Sequence, residues 1–135
     1  MRRAPPWWPG RPVAKPIAAT LAEADALVAV AAARGLVLMV GQIERHSAAI
    51  RTLRAECAGR RLLHVEAVRV APFRPRSLDV SVVLDLMIHD LDLILALADS
   101  PLDSVQAVGG RAVSGNTDWA VAHLGFASGM RATVT

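Results

Sequence analysis

The spacing of apolar and polar positions changes character several times along this chain, and each change predicts an element. Thr20-Leu-Ala-Glu23 is a capping box, a hydroxyl for the third amide and a carboxylate reaching back. It opens an alanine-rich run through Arg34, which Gly35 ends, so a helix is expected there. Leu36 to Val40 is wholly apolar and closed by Gly41, the pattern of a buried strand of parallel type. Gln42 to His46 reads as a loop, Ser47 to Ala58 as a helix stopped by Gly59, and Leu63 to Ala71 alternates as a strand. Pro72 to Ser77 is a turn-rich loop. Val80 to Ala98 is too long for a strand and is built from Leu, Ile, Ala and Met, which predicts a largely buried helix. Ser104 to Val113, Trp119 to Phe126 and Met130 to Thr135 read as strands, the last two joined through Ala127-Ser-Gly129 as a hairpin.

The order predicts an α/β chain: a helix with a parallel-type strand, then an α+β unit with an open, mainly antiparallel sheet. The pattern changes at Gly41, which divides the chain into residues 1–41 and 42–135. A lone helix and strand cannot cover both faces of a parallel sheet, and the last predicted strand runs to Thr135 without a closing element. Both ends therefore read as cut, and the second unit as incomplete at its C-terminus. There is no internal repeat.

Composition narrows the class. Of 135 residues, 53% are hydrophobic and 20% charged, a globular balance with enough apolar material for a core. A single cysteine, Cys57, forms no intramolecular disulfide and suits a reducing compartment. Prolines interrupt the start where a signal peptide needs an apolar segment, and no uncharged apolar run reaches the ~18 residues of a membrane helix. A cytoplasmic location with no membrane partner is expected. The net charge of +3 comes from arginines dispersed from Arg2 to Arg131, without the interleaved aromatics that stack bases, so no nucleic-acid partner is expected.

Candidate chemistry sits in the apolar helix. Asp85, His89 and Asp92 have the i, i+4, i+7 spacing that shares one helical face, with Asp90 pointing elsewhere. A carboxylate one turn from a histidine can orient the ring and raise its basicity, as a general base requires. The same spacing suits a core histidine satisfied by Asp85. A metal site is a third reading, but no second histidine lies at ligand spacing and His46, His64 and His123 are scattered, so no metal is expected. Lys15, before Pro16, is the single lysine among fifteen Lys and Arg residues. It is either a solvated surface group or a compact ammonium placed for a purpose arginine cannot serve.

Lys15-Pro16, the capped helix after it and Leu36-Val-Leu-Met-Val-Gly41-Gln42 together resemble the Glu-Lys-Pro segment of the Gfo/Idh/MocA (glucose–fructose oxidoreductase/inositol dehydrogenase) family. Glu44-Arg45-His46-Ser47-Ala48 is similar to that family's loop leading into its second domain. Asp85-x-x-x-His89-x-x-Asp92 resembles its substrate-domain signature, and the strands around Phe126-Ala-Ser-Gly129 its open sheet. The resemblance implies that residues 1–41 are the remnant of a dinucleotide-binding Rossmann domain and 42–135 a substrate and oligomerisation domain. It implies an NAD- or NADP-dependent dehydrogenase acting on a sugar or sugar nucleotide. Lys15 and Pro16 would belong to the cofactor site, with Lys15 also bonding the substrate hydroxyl. His89 would take the hydroxyl proton, Asp85 would orient the ring or bind a sugar hydroxyl, and Gln42, Arg45 and Asp92 would contact substrate. The pattern around His89 most resembles members oxidising the C3 hydroxyl of UDP-N-acetylhexosamines, which gives Arg45 and Arg74 a role on the diphosphate.

Departures from the family pattern set the remaining expectations. Ala14 replaces the glutamate of Glu-Lys-Pro, His46 stands where phenylalanine is usual, and Gly10-Arg11-Pro12-Val13 looks like a shortened strand. No Gly-x-Gly-x-x-Gly opens a helix; Gly109-Gly110 lies in antiparallel context instead. The chain alone is expected to bind dinucleotide poorly or not at all. It is read as a portion of a dehydrogenase or, alternatively, as a catalytically silent module that homodimerises through its open sheet face.

Overall fold

The computed structural model describes residues 13–72 and 80–135. The chain separates into two compact units, Met1–Gly41 and Gln42–Thr135. In the first, Thr20 caps helix α1, Leu21–Ala33, its hydroxyl accepting from Glu23 N while the Glu23 carboxylate accepts from Thr20 N and Ala19 N. The helix ends in a Schellman turn. Leu36 N donates to Ala31 O, Gly35 N to Ala32 O, and Gly35 takes the positive φ of 59° that glycine tolerates best. The buried strand expected over Leu36 to Val40 reduces to one parallel bridge, Val13 with Val40. Leu36, Val37 and Met39 are exposed, and among the described residues only the segment at Val13 pairs with this run.

The second unit opens with a 3₁₀ turn, Ile43–His46, where a loop was expected, followed by α2, Ala48–Cys57. Ser47 caps α2 by accepting from Ile50 N at 3.3 Å. Four strands follow around a third helix: β1 His64–Ala67, α3 Ile88–Ala98, β2 Leu102–Gly110, β3 Trp119–Phe126 and β4 Arg131–Val134. The sheet order is β1-β4-β3-β2, antiparallel except for the parallel β1–β4 pair, so the α/β class and the open, mainly antiparallel sheet are observed. The β3–β4 hairpin turns through Gly129 at φ 86°. In β2, a side chain at Gly109 would bring a Cβ within 2.8 Å of the Trp119 carbonyl oxygen, which explains its absence there.

One sheet face packs on α3. Ile94 and Met87 meet Ala122, Leu124, Phe126, Ala132 and Val134, with Met130 below them. Phe126, Ile94 and Met130 are 1% exposed and Val134 is fully buried. Each such large side chain contributes about 1.5–3 kcal/mol through burial, so this layer fixes α3 on the sheet. Strand alternation sends His64, Glu66, Thr133, His123 and Val108 to the opposite face.

The helix expected over Val80 to Ala98 is not uniform. Val83–Met87 is a π turn, with the Ile88 amide donating to Val83 O five residues back. Its start is held from outside, as Val82 N donates to Thr117 O at 2.8 Å and Leu84 N and Asp85 N both reach Ser81 O. The helix stops at Ala98, with Asp99 in the left-handed region.

The loop between β2 and β3 is organised by Asp118. Its carboxylate accepts from the amides of Ala112, Val113 and Ser114 at 2.6–2.7 Å. These bonds, Val113's foremost, stabilise the ionised form and hold the carboxyl at about 2, below the ordinary carboxylate value. A lowered native value stabilises the loop above the usual carboxylate range, and that contribution disappears as pH falls through about 2. We expect the Asp118 side-chain ¹³C resonance to titrate near 2, with the three amide protons shifting upfield in the same step. A midpoint in the ordinary carboxylate range would contradict the observed geometry.

Candidate functional site

The polar side chains of the second unit gather where the 3₁₀ turn, the segment after β1 and the first turns of α3 meet. Arg69 is the centre. Its Nε and Nη2 donate to both oxygens of Asp90 at 2.7 and 2.8 Å, and Nη2 and Nη1 reach Glu44 at 2.9 and 3.4 Å. Burial of Asp90 at 8% exposure demands such a partner, since an unpaired buried carboxylate is strongly disfavoured. The Asp90 bonds hold the Arg69 guanidinium above its ordinary value, with burial opposing and Glu44 assisting.

A second pair lies alongside. Arg45 donates from Nε and Nη2 to the two carboxylate oxygens of Asp92, and Nη2 also reaches the Asp92 carbonyl at 3.3 Å. The hydrogen bonds to Asp92 raise the Arg45 guanidinium value against a smaller opposing effect of burial. The two pairs fix the 3₁₀ turn and the β1 exit against α3.

His89 stands between them, its side chain 15% exposed. Its Nδ1 is buried without a hydrogen-bond partner among the described residues and lies 3.8 Å from Glu44 Oε1. Gln42, which precedes the 3₁₀ turn, has a buried Oε1 in the same condition. Such orphans are uncommon in folded proteins and concentrate where chemistry or a ligand completes them. In this cluster Glu44 and Asp90 carry negative charges that Arg69 bridges, while Arg45 and Asp92 pair with each other.

Of the residues singled out from the sequence, Gln42, Arg45, Asp85, His89 and Asp92 fall in the second unit, and Lys15 and Pro16, joined by a cis peptide, in the first. Arg45 and Asp92 contact each other directly. Asp85 lies inside the π turn Val83–Met87, which ends just before His89. Arg74 lies outside the described residues. One expectation is corrected: Asp90, read as pointing away from the polar face, is the buried carboxylate that holds Arg69. Glu44 and Arg69 were not singled out as site residues. A charged Asp90 in an apolar helix signals that a cation must lie near, but its identity depends on a contact 21 residues away.

No group of three or more His, Cys, Asp and Glu side chains able to hold a metal occurs among the described residues. Nor is any of their helices long and apolar enough to cross a membrane. At the start of α1 the Glu23 amide is taken by the Thr20 hydroxyl and the Thr20 amide by the Glu23 carboxylate.

Residues 49–135 match the family model of the GFO/IDH/MocA C-terminal domain. Over 117 residues, 87% of the chain, the sequence is 45% identical to UDP-N-acetylglucosamine 3-dehydrogenase of Acidithiobacillus ferrooxidans. The chain spans only 37% of that relative's length. A solved structure of that enzyme superposes with a TM-score of 0.79, covering 90% of this chain and 40% of the other. A putative oxidoreductase of Yersinia pestis, 27% identical, superposes at 0.71 over 90% of this chain and 37% of its own. An NAD-binding protein of Listeria innocua, 23% identical, shares the fold at 0.76 over 90% of this chain and 39% of its own. With the open sheet and the Asp85–Asp92 segment in place, the chain belongs to the Gfo/Idh/MocA family.

Proposed function

We propose that this chain is the substrate-side portion of an NAD(P)-dependent dehydrogenase that oxidises a hydroxyl of a UDP-N-acetylhexosamine, with His89 accepting the hydroxyl proton. The observation that carries this reading is the 45% identity to a UDP-N-acetylglucosamine 3-dehydrogenase across 87% of the chain. The orphaned imidazole beside the Glu44 carboxylate supports it from the chemistry. A nicotinamide dinucleotide would accept the hydride, chemistry that belongs to the cofactor. This chain's residues are asked to orient the sugar and hold the proton. Arg45, half engaged with Asp92 and with its side chain 39% exposed, keeps donor capacity for a phosphate oxygen, and Gln42 Oε1 can accept from a sugar hydroxyl. Lys15 and Pro16 are assigned to the cofactor side, Asp85 to a sugar hydroxyl or to the ring. The outward sheet face, with Val108 59% exposed, is the surface we assign to self-association.

The test is a chimera in which this chain replaces the matching part of the Acidithiobacillus ferrooxidans enzyme. We expect it to reduce NAD or NADP when UDP-N-acetylglucosamine is added, followed by the absorbance of the reduced nicotinamide. A folded chimera inert toward UDP-sugars overturns the reading.

A further inference from the structure

We infer that Glu44 is the positioning residue for His89, accepting a hydrogen bond from Nδ1–H and so leaving Nε2 as the free, basic nitrogen. The inference rests on the reading of His89 as proton acceptor and adds the group that sets its tautomer, a role the Asp85–His89 spacing had suggested for Asp85.

The geometry assigns it. The buried Nδ1 has no partner among the described residues, and Glu44 Oε1 is an acceptor 3.8 Å away, less than 1 Å beyond hydrogen-bond reach. Glu44 is itself held: Arg69 clamps Oε2 at 2.9 Å and reaches Oε1 at 3.4 Å, while Asp90 fixes both Nε and Nη2 of Arg69. The chain of contacts runs from Asp90 through Arg69 and Glu44 to the imidazole. Asp90, at its far end, is the immediate neighbour of His89 on α3, so the relay closes on the helix from which it starts. This is how a histidine's second nitrogen is commonly fixed, by a carboxylate that is in turn hydrogen-bonded. Glu44 and Arg45 from the 3₁₀ turn, Arg69 beyond β1, and Asp85, Asp90 and Asp92 of the helix are the charged groups near this position. Arg45 and Asp92 satisfy each other, and the Glu44 carboxylate lies 3.8 Å from Nδ1. A small rotation of Glu44 about its Arg69 anchor brings Oε1 into range without breaking the stronger Oε2 contact.

The test reads the tautomer directly and needs no turnover. Long-range ¹H–¹⁵N spectra of the full chain at a pH where the ring is neutral distinguish a protonated from an unprotonated nitrogen, with His89→Asn identifying its signals among the four histidines. In the unmodified chain we expect Nδ1 protonated and Nε2 unprotonated. Glu44→Leu should lose that preference and show the mixed or Nε2–H pattern. Glu44→Gln, which keeps an acceptor oxygen without charge, should retain the tautomer while the Nδ1–H resonance moves upfield. If Glu44→Leu disturbs folding, the Glu44→Gln shift alone decides. A tautomer unchanged in Glu44→Leu but altered in Asp85→Ala, or identical Nδ1–H positions in the unmodified chain and Glu44→Gln, overturns the assignment. Those outcomes leave the proton-acceptor reading standing. That reading fails separately, if the His89→Asn chimera turns over UDP-N-acetylglucosamine as well as the His89 chimera does.

Discussion

His89→Asn in the chimeric dehydrogenase should lower turnover of UDP-N-acetylglucosamine about 10²- to 10⁴-fold, the usual contribution of a positioned general base. In free energy that is about 3–5.5 kcal/mol of barrier, at 1.36 kcal/mol per factor of ten. Asparagine keeps a similar volume and a polar end in a partly buried position, so the fold should hold while no group remains to take the proton. The side chain is 15% exposed, enough for a substrate hydroxyl to reach the ring and too little for bulk water to replace it. The signature is a fall in kcat with little change in KM, because the ring acts on the proton in flight and adds little to ground-state binding. A variant with turnover within a factor of about three of the parent would assign the proton transfer to another group.

Arg69→Met should lower the unfolding free energy by about 3 kcal/mol, near the lower end for breaking a buried ion pair because Arg69 keeps 31% side-chain exposure. Methionine preserves the side-chain length and apolar stem but leaves Asp90, 8% exposed, without its cation. Glu44 loses its anchor in the same step. In urea the transition midpoint should move down by roughly 1–3 M, measured by far-ultraviolet circular dichroism. The double variant Arg69→Met/Asp90→Leu should recover a large part of the loss, since it removes the uncompensated charge along with the pair. A single variant within about 0.5 kcal/mol of the parent would mean the pair behaves as a solvent-screened surface contact.

The parts of the fold legible in the sequence are those written by neighbours. Thr20 and Glu23 are three residues apart and cap α1 as their spacing predicts. Gly35 and Gly129 sit where the chain needs positive φ, the first ending α1 and the second in the β3–β4 hairpin connection, as expected of each. Trp119 to Phe126 was expected as a strand and is one over that whole span. What the sequence did not disclose depends on contacts between distant positions. Leu36 to Val40 has the composition of a buried strand, but a strand needs partners, and among the described residues the run pairs with Val13 alone. Nothing in Val-Leu-Asp-Leu-Met announces a π turn; the carbonyl of Thr117, 35 positions after Val82, helps hold its start. The candidate site divides in the same way. Asp85, His89 and Asp92 stand out because polar groups interrupt an apolar run. Glu44 and Arg69 stood unmarked, since a glutamate in a loop and an arginine near a strand end look like ordinary surface groups until Asp90 is seen to need them.

The π turn has a further consequence. A turn with one surplus residue acts as a phase shift between the two halves of a helix: side chains before it are rotated by about 100° relative to where an unbroken 3.6-residue repeat would set them. The half after it, Ile88–Ala98, is locked by Ile94 against the sheet, so its angular setting cannot drift. Asp85 lies within the turn itself, so its bearing relative to the His89 ring depends on how the surplus residue is accommodated. Two relatives with identical chemistry at these positions but one residue more or fewer in Val83–Met87 would present different faces to the same substrate, and a change of specificity could arise without any change of functional group.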